Sequence, residues 1–165
     1  MFAVASGRAS KSVAVLTYLI VFLWSLPSGI IWFFNAEAMV VYQVSSHPDL
    51  APWIIALTTT AGQFIGYAAL YHFAALFLQR FAFVKRAVSK VQIDRTGPGT
   101  WMMFFTGGLF GLPPLLALFA VYGSARVGPF RTFVLIAAPA RLTWYMGWAY
   151  APDAIRDTFG WLSKG

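Results

Sequence analysis

Three stretches without Asp, Glu, Lys or Arg set the pattern of this chain: residues 12–36, 50–79 and 96–125. A bilayer core about 30 Å thick is crossed by roughly 20 apolar residues of helix, so each stretch is long enough to span. The first apolar block, Ser12 to Phe34, is interrupted at Leu26-Pro27-Ser28-Gly29, where proline removes a helix donor and glycine permits a bend. It runs on through Asn35 and Glu37 to a polar turn, Ser45-Ser46-His47-Pro48-Asp49. The second block, Ala51 to Gln79, has Pro52 at a first-turn position and no breaker except Gly62 and Gly66, which predicts a full spanning helix.

From Arg80 to Val91, the residues Phe81, Val84, Val88 and Val91 recur at helical spacing opposite basic side chains. That pattern predicts an interfacial amphipathic helix on the cytoplasmic side. Thr96-Gly97-Pro98-Gly99-Thr100 is the clearest linker and halves the chain. In the third block the charges decide the topology. A single crossing from Trp101 to Tyr122 would leave Arg126 and Arg131 opposite the basic 80–95 segment, against the positive-inside rule. A turn at Pro113-Pro114 keeps both ends on the basic side, with arms of about 10 residues reaching roughly 15 Å. The favoured reading is a re-entrant hairpin, with one proline-kinked span as the alternative; Thr132 to Tyr150 then crosses.

The expected fold is therefore an all-α integral membrane protein of about three transmembrane helices and two re-entrant helical hairpins, with tips at Pro27 and Gly29 and at Pro113 and Pro114. The order broken segment, proline, glycine-containing helix occurs in both halves, about 12–79 and 101–150, joined by the basic linker 80–100 and followed by an interfacial tail, 151–165. Broken apolar segments at corresponding places point to an inverted repeat. All 165 residues form one membrane domain on this reading.

Composition agrees, at 59% hydrophobic and 10% charged. The net charge of +7 comes largely from basic residues bordering the apolar runs, which headgroup attraction explains without nucleic acid. With no cysteine, disulfides, thiolate ligands and thiol nucleophiles are excluded. Ala36-Glu37-Ala38 looks like a small-x-small cleavage site but lies too far beyond a normal signal-peptide core, after Trp32-Phe33-Phe34, so the segment is expected to be retained.

Over roughly residues 20–150 the chain resembles the DedA family of SNARE-associated, VTT-domain membrane proteins, especially its small YqaA-like members. The carriers are Leu26-Pro27-Ser28-Gly29, Gly62-Gln63-Phe64-Ile65-Gly66 with Tyr71, Gly111-Leu112-Pro113-Pro114 with Gly123, and Phe130-Arg131-Thr132-Phe133 leading into Arg141-Leu142-Thr143-Trp144. Family members commonly carry acidic residues after the first hairpin proline and in the spanning helix, and an arginine motif in the second hairpin. Here Ser28-Gly29, Tyr67 and the arginine-free 107–114 stand in those places. The resemblance implies a bacterial inner-membrane protein that moves phospholipid or polyprenyl-phosphate between leaflets, with membrane lipids as partners and a homodimer as one way to widen a cramped pathway. A small-solute or ion transporter, or a non-transporting assembly subunit, is the alternative.

Ionisable groups inside the apolar blocks are few, and each needs a partner or an aqueous cavity. Glu37 and Arg141, the latter beside Pro139, are the best candidates. In one reading Arg141, with Arg126 or Arg131, attracts a lipid phosphate while Glu37 balances it or accepts a proton. In the other, Glu37 sits near the outer interface and Arg141 snorkels or makes a structural pair. Thr58, Thr59, Thr60 and Gln63 form a polar patch that either lines a headgroup path or packs helices at Gly62 and Gly66. His47 and His72 are too far apart for a local metal motif. No catalytic signature is present, so neither an enzyme nor a cofactor is expected.

Overall fold

A computed structural model of the chain describes residues 3–28, 31, 34–78 and 97–159. Six helices follow one another among these residues: α1 (Ala3–Ser28), α2 (Ala36–Ser46), α3 (Pro52–Leu78), α4 (Pro98–Phe110), α5 (Leu115–Ala125) and α6 (Phe130–Phe159). Their boundaries are written in local chemistry. Asn35 caps α2 by accepting the Ala38 N–H through Oδ1 at 2.9 Å, one of the donors a helix start leaves without a partner. Pro52 and Pro98 open α3 and α4 at positions where a missing N–H costs nothing. Gly111 ends α4 in the left-handed region at φ 73°, and Pro114 precedes α5. Replacing Asn35 with alanine is expected to destabilise the protein by about 1 kcal/mol, the usual worth of such a cap, read as a lowered urea midpoint.

α1 packs on α3, α4 on α6, α5 on α3, and α2 on α6. The core has two parts. One is aromatic, with Phe104 stacked on Phe133 at 4.3 Å between ring centroids and Tyr67 on Phe119 at 4.9 Å. The other gathers Val21, Val40, Ile55, Ala56 and Tyr145. Gly108 meets α6 so closely that a Cβ there would stand 2.7 Å from the Ala137 carbonyl oxygen and 2.9 Å from the Ala140 Cβ. This close approach seats the turn of α6 that carries Arg141 against α4.

The expected membrane architecture is corrected by these helices. Among the described residues one helix, Pro52–Ala74, is long and apolar enough to cross a bilayer, and 50% of its most apolar window is buried inside the protein. Ser12–Ser28 and Leu115–Ala125 are shorter apolar helices, and α6 carries Arg131, Arg141, Asp153, Arg156 and Asp157 along its length. Three transmembrane helices with two re-entrant hairpins are therefore not what the chain forms; it is a compact all-α bundle. The physical reason is that an uncharged run records an aversion to water, which burial in a helix bundle satisfies as well as a bilayer does. The run 96–125 divides at 111–114 into α4 and α5, whose side chains meet at Phe104–Phe119, Phe104–Tyr122 and Thr100–Tyr122. Their backbones pack more closely on α6 and α3 respectively, so both belong to the bundle core. The multi-pass inner-membrane location, and the lipid partners inferred from it, fall with that count.

Pro27 lies inside the last turn of α1, and Gly29 lies outside the described residues, as does the basic amphipathic segment 80–91. The Leu112–Pro113 peptide is cis. Thr59 and Thr60 turn their hydroxyls back onto the Ile55 and Ala56 carbonyls of their own helix, and Gly62 faces the α1 backbone at Phe22. Those contacts are helix packing.

Candidate functional site

Arg141 enters the bundle from the middle of α6 and is only 8% exposed. A buried guanidinium must find acceptors, because an uncompensated charge away from water costs several kcal/mol. Its Nε donates to Gln63 Oε1 of α3 at 2.9 Å. Its Nη2 donates to Glu37 Oε1 of α2 at 2.8 Å and to the Tyr145 hydroxyl at 3.0 Å. The Tyr145 hydroxyl in turn donates to Gln63 Oε1 at 2.9 Å. Trp144 Nε1 donates to the same Glu37 oxygen at 3.0 Å. Three helices thus converge on one cation, and residues 104 positions apart in the chain become an ion pair.

The electrostatics keep the guanidinium charged. Burial alone would lower the Arg141 pKa, but the hydroxyls of Tyr145 and Tyr67 and the Glu37 carboxylate reverse the direction and leave it above the ordinary value. Burial pushes the Tyr145 hydroxyl upward, against the opposing pull of Arg141. Burial likewise raises Tyr67 to about 12. Both phenols therefore keep their protons at neutral pH and act as neutral donors.

Beside this network lies a cavity of about 210 Å³, lined among others by Glu37, Gln63, Tyr67, Gly111, Leu115 and Arg141. Two donors reach it uncommitted. Arg141 Nη1, the guanidinium nitrogen nearest Gly111, has no hydrogen-bond partner among the described residues. The Tyr67 hydroxyl also has none among them, although Tyr67 is only 4% exposed. The first turns of both α2 and α5 complete the wall through Ala36, Glu37, Leu115 and Leu116. The leading N–H groups of a helix have no acceptor within it, and its start carries roughly half a positive charge. The last turns of α1 and α4 line the same space through Ser28, Gly107 and Gly111, and a helix end carries roughly half a negative charge. The helix termini thus offset one another and, with Arg141 balanced by Glu37, the cavity is near neutral.

Of the residues singled out in the sequence, Glu37, Gln63 and Arg141 meet here. Arg126 and Arg131 do not: Arg126 caps the far end of α5, in the left-handed region at φ 53°, roughly 16 Å from its first turn, and Arg131 is exposed at the start of α6. Pro114 lines the cavity. Tyr67, Trp144 and Tyr145 went unassigned in the sequence because aromatic residues at helical spacing read as core or as interfacial anchors. One local signal points to Tyr145: it lies four residues after Arg141, the spacing at which helical side chains meet, and the Arg141 Cζ sits 4.7 Å above its ring centre.

Neither family models, nor curated proteins, nor solved structures give a match to this chain. The resemblance to the DedA family is accordingly corrected: the short apolar motifs that carried it, such as Leu26-Pro27-Ser28-Gly29 and Gly62-Gln63-Phe64-Ile65-Gly66, are too low in information to define a family. Lipid translocation, which rested on that resemblance, is withdrawn with it. Arg141 and Glu37 form a buried network inside a folded core.

Proposed function

We propose that this protein binds a small molecule through a phosphate or carboxylate group held in the Arg141 cavity. One observation carries the reading. The two uncommitted donors of the cavity, Arg141 Nη1 and the Tyr67 hydroxyl, belong to side chains more than nine-tenths buried, yet both atoms open onto the cavity instead of being sealed in the packed core, so a small ligand reaches them directly. An oxyanion would satisfy both at once, with the guanidinium supplying the charge. The guanidinium suits the task because its planar fork keeps one nitrogen free while the others are held. At about 210 Å³ the cavity is below the roughly 300–1,000 Å³ of drug-sized sites, so the group that enters is small. The chain's net charge of +7 favours approach of anions.

Titration with inorganic phosphate and with acetate, followed by calorimetry with chloride as control, tests this. Saturable binding of one anion per chain is expected. Tyr67→Phe removes one donor and nothing else, so affinity is expected to fall about tenfold, equivalent to roughly 1.4 kcal/mol, with the melting temperature unchanged. An affinity that Tyr67→Phe leaves unchanged, or no binding of either anion at tens of millimolar, would contradict the reading and leave the network purely structural.

A further inference from the structure

The anion cavity has a neighbour. A cleft of about 510 Å³ runs along the outside of α2 and is lined by Asn35, Glu37, Ala38, Val41, Tyr42 and Trp148. Ala38, Val41 and Tyr42 are spaced i, i+3 and i+4, so the cleft follows one face of the helix and leads away from its positive start. It shares Asn35 and Glu37 with the inner cavity. Glu37 is thus the wall between the two spaces.

The two oxygens of that carboxylate are used unequally. Oε1 accepts from both Arg141 Nη2 and Trp144 Nε1, whereas Oε2 has no partner among the described residues, and the Glu37 side chain is 25% exposed. A carboxylate has about four acceptor sites, so the oxygen left over retains its capacity for a donor. Two aromatic rings stand in the same cleft. Trp148 is held edge-on to Trp144 at 5.8 Å between ring centroids, and Tyr42 is 63% exposed. An acceptor oxygen beside indole and phenol faces is the chemistry that recognises an organic ammonium, through the negative potential of the ring faces as well as the carboxylate.

We infer that the ligand is zwitterionic: its oxyanion sits on Arg141 and Tyr67, and an ammonium group on the same small molecule lies across Glu37 in the cleft, against Trp148 and Tyr42. This inference rests on the oxyanion reading and adds the second pole. It gives a role to the free oxygen of the carboxylate at the cavity rim. Glu37 balances the Arg141 guanidinium when the ligand is absent and also faces the ligand's cation when it is present. A ligand with two poles spans both spaces, while a simple anion fills only the inner one.

Matched probes separate the two statements. Acetate and glycine betaine differ by a trimethylammonium group, as do ethyl phosphate and phosphocholine, and all four are titrated by calorimetry with the purified full chain. The betaine and phosphocholine are expected to bind about tenfold more tightly than their uncharged-tail counterparts, a cation–π and charge contribution of ordinary size. Trp148→Leu keeps an apolar side chain and removes the ring face; it is expected to erase most of that advantage while acetate and ethyl phosphate bind as before. Equal affinities within each pair would overturn the cationic subsite and leave the oxyanion site standing. An advantage that survives in Trp148→Leu and in Tyr42→Leu would place the ammonium elsewhere and overturn it too. If none of the four binds, the oxyanion reading itself fails and this inference with it. A melting temperature within the normal range for each variant confirms that the fold is retained.

Discussion

Replacing Arg141 with methionine is expected to destabilise the protein by about 3 kcal/mol, the lower end of the cost of removing one partner from a buried ion pair. The lower end applies because Glu37 is 25% exposed and water partly solvates the carboxylate left behind. Three acceptors lose the guanidinium together, Gln63 Oε1, Glu37 Oε1 and the Tyr145 hydroxyl, although Gln63 Oε1 keeps the Tyr145 hydroxyl and Glu37 Oε1 keeps Trp144 Nε1 as donors. Oxyanion binding is expected to disappear with the guanidinium. The double variant Arg141→Met with Glu37→Gln distinguishes charge from packing. If the orphaned carboxylate is the main cost, neutralising it restores more than half of the lost stability. Urea unfolding of the wild type, both single variants and the double variant completes the cycle. A double variant as unstable as Arg141→Met alone would show that the cost lies in packing.

Gly123→Ala is expected to cost a similar amount, about 3 kcal/mol, at the top of the ordinary range for overpacking. The added Cβ would press on the Tyr71 carbonyl oxygen and stand 2.7 Å from the Tyr71 Cα. Backbone atoms of α3 cannot swing aside as a flexible side chain would. The same crossing is tied by the Tyr71 hydroxyl, which donates to the Gly128 and Val127 carbonyls. α5 must therefore shift as a unit, and its first turn moves off the anion cavity some 16 Å away along the helix. Phosphate affinity is expected to fall with stability, though no cavity-lining residue has been changed. Gly147→Ala is the control: nothing lies within 4 Å of its Cβ position, and alanine in a helix is favoured over glycine by about 1 kcal/mol. A Gly123→Ala protein as stable as Gly147→Ala would refute the close α3–α5 crossing.

Much of the helix pattern was legible in the sequence because its punctuation is local. Pro52, Pro98, Gly111 and Pro114 act on their immediate neighbours, and the turn at Ser45 to Asp49 separates α2 from α3. The number of spanning helices was misread because an uncharged run reports solvent preference and says nothing of where a helix ends. The exposed apolar side chains of α1, among them Val15, Leu16 and Leu23, give the same hydropathy whatever covers them. Glu37, Gln63 and Arg141 stood out as polar residues in apolar surroundings, which is a sequence-level signal. Their mutual geometry was not available there, since it depends on three helices crossing at one level. Tyr67 was legible only as a place where an acidic residue was missing; its unpartnered hydroxyl is visible only once Phe119 and the cavity stand on either side of it.

The most direct test of the oxyanion site is a crystal of the protein soaked in tungstate, a phosphate-like oxyanion whose metal scatters anomalously. An anomalous peak within hydrogen-bond reach of Arg141 Nη1 and the Tyr67 hydroxyl, in line with the first turns of α2 and α5, is the predicted result. Peaks confined to Arg126, Arg131 or other exposed basic side chains, with the cavity empty, would contradict it.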